Sequence, residues 1–441
     1  MRDSLSKSIC PSLLLILLLA FAAGARQQPD ANEITALVNV TVIDGNGGPP
    51  QPKMTVVVSG ERIVEILPAG KKTPAGAAVI DLSGYYVIPG LIDSHVHLGA
   101  GQTREAFSRM LRFVLLGGIT TVRDMGGDAI TLGEMAKVAS SRETLSPRIY
   151  FCAMMGGPTF FSDPRVQASA HGMSAGGTAW LRAITPETDI TKAVADAKAT
   201  GATGIKIYAD LPAGLVSKIS AEAHRQGLRV WSHATIFPAK PSDAVAAGVN
   251  ALSHSAYLVW EGMSRVPDSY RARLGANYES VPVKSDAITA LLARMKEKGT
   301  ILDATLFVFN NFTRAAQPPP GVRDVKLLVD WSFEVTRRAR ELGVKVAAGT
   351  DSVGAPDIYA LPNLHTELEL LVTKCGFTPL EALTAATRTG AEALGITDSY
   401  GTIARGKVAD MVVLSGDPSK DIRNTTKIVY VVKGGRLHKR P

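Results

Sequence analysis

The middle of the chain alternates between short apolar runs and longer amphipathic segments. The short runs have the length of strands, whereas segments such as SKISAEAHRQG and FEVTRRARELG have apolar positions at helical spacing and end at a glycine. Eight short runs follow one another, near residues 92, 122, 151, 206, 232, 253, 304 and 348. Strands that alternate with helices are typical of a parallel sheet with crossover helices. The pattern therefore predicts an α/β protein whose eight β/α units close into a (β/α)8 TIM barrel.

The start of one late helix is marked in the sequence. Thr378 can cap a helix, Pro379 suits the first helical position, and Glu381 completes a capping box with Thr378. The segment LEALTAATRTGAEALG is therefore expected to form one helix that begins at this point.

Both ends of the chain have a strand pattern instead. Residues 34 to 87 contain ALVNVTVIDG, MTVVVSGERIVEIL and AAVIDLSGYYVI, and the far end contains ADMVVLSGD and TKIVYVVKGGRLH, with turn-forming residues between the runs. We expect the two ends to form one small β-sandwich. The predicted domains are residues 30–89 and 396–441 for the sandwich and residues 90–395 for the barrel.

Residues 1–25 have the layout of a secretory signal peptide. Arg2 and Lys7 give a positive start, an apolar run extends from Leu13 to Ala23, and small residues precede a cleavage site near Ala25. The alternative is a membrane anchor, but a membrane span needs about 20 apolar residues and this run is shorter. We therefore expect an exported protein, periplasmic or secreted, with no other membrane segment.

Composition narrows the class of protein. Of 441 residues, 46% are hydrophobic and 20% are charged, which excludes a disordered chain, and three cysteines exclude a disulfide framework. The formal net charge of +8 is scattered, apart from a C-terminal group that includes Lys433 and is expected to be solvated. The sequence has no basic patch with interleaved aromatic residues, so nucleic-acid binding is not expected. The expected partner is a small molecule, and a homo-oligomer is left open.

Four of the 8 histidines fall near the ends of predicted barrel strands. His95 and His97 lie two residues apart at the end of the first strand, so their side chains point to the same side and can converge on one metal ion. Such a pair is weak evidence alone. His233 and His254 follow two further strands, on the face where barrels of this type carry their active sites.

Other polar residues occupy the same face or the same strands. Asp351 ends the eighth strand, and Lys206 lies inside the fourth, where an unpaired ammonium would be costly to bury. A buried ion pair is the alternative role for Lys206. Tyr208 faces the same way as Lys206 and is a candidate substrate contact, as is His171 in a glycine-rich loop after the third strand. Long loops at residues 258–286 and 310–324 have the length of lids, but their contents identify no ligand.

These motifs together resemble the amidohydrolase superfamily. They comprise PGLIDSHVH at residues 89–97, the strands with Lys206, His233, His254 and Asp351, and GTIARGKVAD at residues 401–410. The sequence is similar to the binuclear branch near prolidase-like (Xaa-Pro dipeptidase) and imidazolonepropionase-like enzymes. The resemblance covers nearly all of the chain after residue 25.

The resemblance implies two divalent metal ions held by six side chains: His95, His97 and Asp351 at the more buried ion, His233 and His254 at the other, and Lys206 at both. Lys206 would be carboxylated by carbon dioxide, and the bridging carbamate would offset the charge of the two cations. Zinc is the expected metal, with manganese and cobalt as alternatives. A hydroxide that bridges the metals would attack the substrate, and Asp351 would be the catalytic proton acceptor.

The implied activity is hydrolysis of a C–N amide bond, in a dipeptide-like substrate of the prolidase or carboxypeptidase type. Two departures from the motifs of prolidase-like relatives weaken the expectation of a dipeptide-like substrate. Residues 209–212 are ADLP where prolidase-like relatives have an ATGG-type turn, and residues 156–158 are GGP where some relatives carry a histidine. The alternatives are a mononuclear cyclic-amide hydrolase of the imidazolonepropionase type, a lactone or ester hydrolase, and a noncatalytic substrate-binding relative.

Overall fold

A computed structural model describes residues 34–99, 103–356 and 360–440. The expected signal peptide at residues 1–25 lies outside the described residues. Within them, no helix is long and apolar enough to cross a membrane.

Seventeen strands are found in the described residues. The first five precede the barrel: β1 Ile34–Val42, β2 Gln51–Ser59, β3 Arg62–Pro68, β4 Ala78–Asp81 and β5 Tyr86–Pro89. The next nine are β6 Leu91–Val96, β7 Ile119–Asp124, β8 Arg148–Gly156, β9 Leu181–Ala183, β10 Gly204–Ile207, β11 Arg229–His233, β12 Ala251–Ser253, β13 Ile301–Asp303 and β14 Val346–Ala347. The last three are β15 Met411–Leu414, β16 Ile428–Lys433 and β17 Arg436–Lys439.

The helices lie mainly between the barrel strands. They are α1 Arg104–Leu116, α2 Ala129–Ser140, α3 Pro164–Ala168, α4 Ile190–Ala199, α5 Ala213–Arg225, α6 Pro241–Ala246, α7 Asp286–Lys298, α8 Leu306–Asn311, α9 Val325–Glu341, α10 Leu364–Cys375, α11 Pro379–Ala385 and α12 Arg388–Leu394. Short 3-10 turns are inserted after several strands, including Ser255–Glu261 and Tyr270–Ala272.

Eight parallel strands form the barrel that the sequence predicts. Their order is β6, β7, β8, β10, β11, β12, β13 and β14, with β9 paired to β8 outside this series. Individual backbone hydrogen bonds bridge the seam: Ser94 N donates to Ala348 O at 3.0 Å, and Asp351 N donates to His95 O at 2.8 Å. The prediction of a (β/α)8 TIM barrel is confirmed, and these bonds bring the ends of the first and last strands together.

The late helix begins as expected but is interrupted. Thr378 N donates to Glu381 Oε2 at 2.7 Å, and Glu381 N donates to Thr378 Oγ1 at 3.2 Å, which completes the capping box. The helix ends at Ala385 because barrel strands use the next carbonyl groups: Ala348 N donates to Ala385 O, and Ile92 N donates to Ala386 O. The expectation of a single helix was therefore wrong, since α12 starts separately.

The strands from both ends of the chain form one separate sheet. Its order is β17, β16, β15, β5, β1, β2 and β3, with β4 beside β1. Leu37, Val56, Val87 and Val413 are fully buried in its own apolar core. Ile63 N also donates to Lys407 O at 2.9 Å, so β3 contacts the segment that leads into β15. The expectation of a small β domain built from both termini, described above as a β-sandwich, is confirmed, and its strands pair in one 8-stranded sheet. The exact domain limits stay a prediction.

Lys433 is an exception to the expected solvated C-terminal group. It is fully buried at the end of β16, and its ammonium donates to the carbonyl oxygens of Ala139, Ser141 and Thr144 at 2.7, 2.8 and 3.1 Å. These carbonyls lie at the C-terminal end of α2, where a cation is favourable. Lys433 therefore links β16 of the terminal sheet to the C-terminal end of α2 in the barrel domain.

Candidate active site

A cavity of about 740 Å³ opens at the C-terminal ends of the barrel strands. His97, His233, His254 and Asp351 contribute to its wall, together with Tyr208. This is the face on which TIM-barrel enzymes carry their active sites. The cavity therefore collects side chains that are far apart in sequence.

His95, His97 and Asp351 form a cluster that could hold a metal ion, since one ligand atom of each lies within 4.8 Å of the others. Asp351 Oδ1 lies 3.6 Å from His95 Nε2 and 3.1 Å from His97 Nε2. Asp351 has a left-handed φ of +57°, and its N–H is bonded to the His95 carbonyl. This local turn directs the carboxylate back over the first strand.

His233 and His254 lie beside this cluster. Their ring centroids are 4.4 Å apart, and the His254 ring is 4.8 Å from that of His95. Two threonines orient them: Thr235 Oγ1 is 2.7 Å from His233 Nδ1, and Thr305 Oγ1 is 2.9 Å from His254 Nδ1. The four histidines expected from the sequence therefore lie close together, and three of them line the cavity.

Lys206 is fully buried, and its ammonium has no hydrogen-bond partner among the described residues. The ion pair considered as its alternative role is therefore not found in this part of the chain. Burial lowers the pKa of Lys206 to about 8. His95 Nε2 is also buried without a hydrogen-bond partner in the described residues. Unsatisfied buried polar atoms are costly, so both atoms fit a group that is bound between them.

Burial also sets the protonation of the histidines. It lowers the pKa of His95 to about 4 and holds the pKa values of His233 and His254 well below the ordinary range. For His97 burial acts in the same direction, but Asp351 outweighs it and raises the pKa. Neutral imidazole is the form that binds metals, so burial keeps His95, His233 and His254 in the form that fits divalent ions.

Asp303, at the end of β13, is the important residue that sequence reasoning missed. Its Oδ2 accepts hydrogen bonds from His95 Nδ1 at 2.7 Å, Ser253 Oγ at 2.9 Å and Arg123 Nη2 at 3.0 Å. Burial acts to raise its pKa, but His95 and Arg123 outweigh this and lower the pKa to about 2. Asp303 is therefore a carboxylate that orients His95. The available signal was its position at the end of the seventh strand.

Two further aspartates hold the backbone around the cluster. Asp93 accepts from Thr350 Oγ1 at 2.8 Å and from Thr350 N at 3.0 Å, which ties β6 to the loop after β14. Asp124 accepts from the N–H groups of Leu98 and Gly126 at 2.7 and 2.9 Å. Both residues thus fix loops that carry the cluster.

The two residues expected to contact substrate differ in position. Tyr208 lines the cavity, stacked on His233 and Phe160 with centroid distances of 4.9 and 4.4 Å. His171 is not among the described residues that line it; its side chain is 49% exposed, with Nδ1 2.6 Å from Asp128. A contact between His171 and substrate stays a prediction.

Both long loops noted in the sequence reach the cavity. Residues 258–286 contribute Tyr270, Arg273 and Leu274, and residues 310–324 contribute Phe312, Pro319 and Pro320. Most of the wall away from the histidines is therefore aromatic or apolar.

Comparison with known proteins agrees with this geometry. Residues 86–438 match the model of the amidohydrolase family. The imidazolonepropionase of Symbiobacterium thermophilum is 29% identical over 83% of this chain and 84% of its own length.

Two solved structures share the fold. A Xaa-Pro dipeptidase with bound methionine superposes with a TM-score of 0.71 at 23% identity, and covers 92% of this chain and 100% of its own. The Aspergillus niger ochratoxinase gives a TM-score of 0.71 at 22% identity, over 93% of this chain and 97% of its own. With most of the chain matched by the family model, the protein belongs to the amidohydrolase family and is a hydrolase acting on carbon–nitrogen bonds.

Proposed function

We propose that this protein hydrolyses the amide bond of a dipeptide-like substrate with two divalent metal ions. The observation that carries the proposal is the convergence of ligand side chains from separate strands. His95, His97 and Asp351 offer ligand atoms within 4.8 Å of one another, and the His254 ring lies 4.8 Å from that of His95. A histidine-rich donor set favours zinc, with manganese and cobalt as alternatives.

The proposed assignment of ligands follows the two clusters. His95, His97 and Asp351 would hold one ion, and His233 and His254 would hold the second. Lys206 would bridge them as a carbamate formed with carbon dioxide. Its pKa, lowered by burial to about 8, supports this role, because carbamate formation needs the neutral amine and the lowered pKa increases the share of that form.

When bound, the ions would lower the pKa of a water molecule and polarise the carbonyl of the substrate. Asp351 accepts the proton of the attacking water, because its side chain is 22% exposed to the cavity whereas that of Asp303 is fully buried. As the C–N bond breaks, Asp351 donates that proton to the leaving nitrogen, which yields a carboxylic acid and an amine. Tyr208, on the same wall as His233, contacts the substrate.

The substrate is proposed to be a small molecule rather than a polymer. A cavity of about 740 Å³ with aromatic walls has the size of a ligand pocket for small molecules. The similarity of fold to a Xaa-Pro dipeptidase supports a dipeptide-like substrate. From the pattern of residues 1–25, we also propose that the protein is exported to the periplasm or the exterior. A homo-oligomer is a further part of the proposal.

The first experiment combines metal analysis with a dipeptide library. We expect two ions per chain in the wild type, and loss of most of the second ion and of most activity in Lys206→Ala. Growth or reconstitution with ¹³C-bicarbonate should give a carbamate carbon resonance that this variant lacks. Lys192→Ala is the matched control, because Lys192 is an exposed lysine paired with Asp196. Wild-type activity in Lys206→Ala would refute the bridging role.

A mononuclear cyclic-amide hydrolase is the second candidate, because an imidazolonepropionase is similar over 83% of this chain. Such an enzyme needs no bridging group, so Lys206 would keep its ammonium. One ion per chain, no carbamate resonance and hydrolysis of a five-membered cyclic amide would favour it. The panel should include esters and lactones, because the same attack cleaves them.

A further inference from the structure

Arg273 lines the cavity within a group of tyrosines. Its guanidinium carbon lies 4.0 Å from the centroid of the Tyr270 ring, and its Nη1 donates to Tyr270 O at 3.4 Å. The residue is half-buried. A guanidinium held against an aromatic face has few orientations and presents its remaining N–H groups in a fixed direction.

No carboxylate pairs with Arg273 in residues 34–99, 103–356 and 360–440. The other arginine of the wall, Arg165, donates instead to Asp163, with Nη2 2.6 Å from Oδ2 and Nε 3.1 Å from Oδ1. Asp351 is the one acidic side chain among the described residues that line the cavity, and it belongs to the metal cluster. Arg273 is therefore an uncompensated cation on the wall.

The ring of Tyr270 lies between Arg273 and the histidines of the cavity. The ring of His233 lies 5.3 Å from that of Tyr270 and 5.4 Å from that of Tyr257. Arg273 packs on Tyr270, so one aromatic layer separates it from the histidines.

We propose that Arg273 binds the free carboxylate of the substrate, an N-acyl amino acid or dipeptide whose scissile amide lies at the metal cluster. The inference rests on the proposed amide hydrolysis and adds the group that selects the substrate. A planar guanidinium pairs with a carboxylate through two parallel hydrogen bonds. Leu274, Phe309 and Phe312 on the same wall suit an apolar side chain on the amino acid that carries this carboxylate.

The test compares each dipeptide of a library with its C-terminal carboxamide. In the wild type, we expect kcat/KM to be about 10- to 100-fold higher for the free carboxylate, the range for a charge-assisted hydrogen bond. Arg273→Gln should lower kcat/KM for the free carboxylate by about this factor and so remove the preference, while Arg273→Lys should restore part of it. Arg225→Gln is the matched control, because Arg225 is an exposed arginine paired with Glu222. Circular dichroism melting of each variant checks the fold.

Calorimetric binding separates failure of this inference from failure of the proposed function. N-acetyl-L-phenylalanine and its carboxamide are titrated into the metal-loaded protein. If amides are cleaved without regard to the carboxylate, Arg273 has no such role, although the proposed hydrolysis stands. If no amide is cleaved, tighter binding of the acid than of the carboxamide, lost in Arg273→Gln, still supports the anion site. Equal binding of both probes overturns it.

Discussion

The Nδ1 atom of His95 lies 2.7 Å from the Oδ2 atom of Asp303, with both side chains fully buried. The carboxylate holds the proton on Nδ1 and so leaves Nε2, which faces Asp351 at 3.6 Å, free to bind a metal ion. Sequence separates the two residues by 208 positions, and the barrel brings them together.

Asp303→Asn should weaken metal binding without removing a proposed ligand. An amide does not hold the His95 proton as a carboxylate does, and loss of such a partner commonly lowers metal affinity by about 10- to 100-fold. Competition with a fluorescent zinc chelator measures this affinity directly. Asp330→Asn, at an exposed residue of α9, is the control, and equal affinity in both variants would contradict the role of Asp303.

Arg123→Met should destabilise the whole fold. Arg123 is fully buried, donates to Ser94 O and Asp303, and stacks on Trp231 at 4.7 Å. Removing one partner of a buried ion pair leaves the other uncompensated, so we expect a loss of about 3–5 kcal/mol in the free energy of unfolding.

Urea denaturation of the metal-free protein measures this loss. Arg423→Met, which removes an exposed arginine paired with Asp421, should change the midpoint little. A similar small change in Arg123→Met would show that the buried pair does not support the barrel.

His365→Gln should flatten the dependence of stability on pH. His365 is buried with Nε2 2.9 Å from Gly117 O and Nδ1 2.9 Å from Thr425 Oγ1, and burial lowers its pKa to about 4. The unfolded value is about 6.5, so the unfolded chain takes up the proton first as the pH falls. Wild-type stability from this residue is therefore complete above pH 6.5 and is lost towards pH 4.

The difference in unfolding free energy between wild type and His365→Gln should shrink by about 1–3 kcal/mol over this interval. Denaturation at a series of pH values measures it. A difference that is constant with pH would contradict the lowered pKa.

Asp351→Asn should abolish most turnover. Loss of a positioned proton acceptor costs about 10²- to 10⁴-fold in rate, and the variant also lacks one proposed ligand. Rates should therefore be compared at measured metal content, with Asp330→Asn, at an exposed residue of α9, as the control. A fully metal-loaded Asp351→Asn enzyme with an undiminished kcat would exclude the proton-transfer role.

The sequence was most informative where a regular period determines side-chain direction. His95 and His97 share one side because strand side chains alternate, and the eight strands were recognisable from their apolar runs. Lys206 stood out because a lysine is rare inside a buried strand.

Contacts between distant segments were not accessible in this way. Nothing local to Asp303 or Arg273 shows that one faces His95 and the other packs on Tyr270. Burial of Lys433 depends on three carbonyls of another segment, and the end of α11 depends on barrel N–H groups that use its last carbonyls. In each case the partner is set by the tertiary fold.

Anomalous diffraction at the zinc edge, from crystals of the zinc-loaded protein, tests the central claim most directly. We predict two peaks, one bonded to His95, His97 and Asp351 and the other to His233 and His254, with extended density on Lys206 between them. A single peak with an unmodified Lys206, or ions bound away from these side chains, would contradict it.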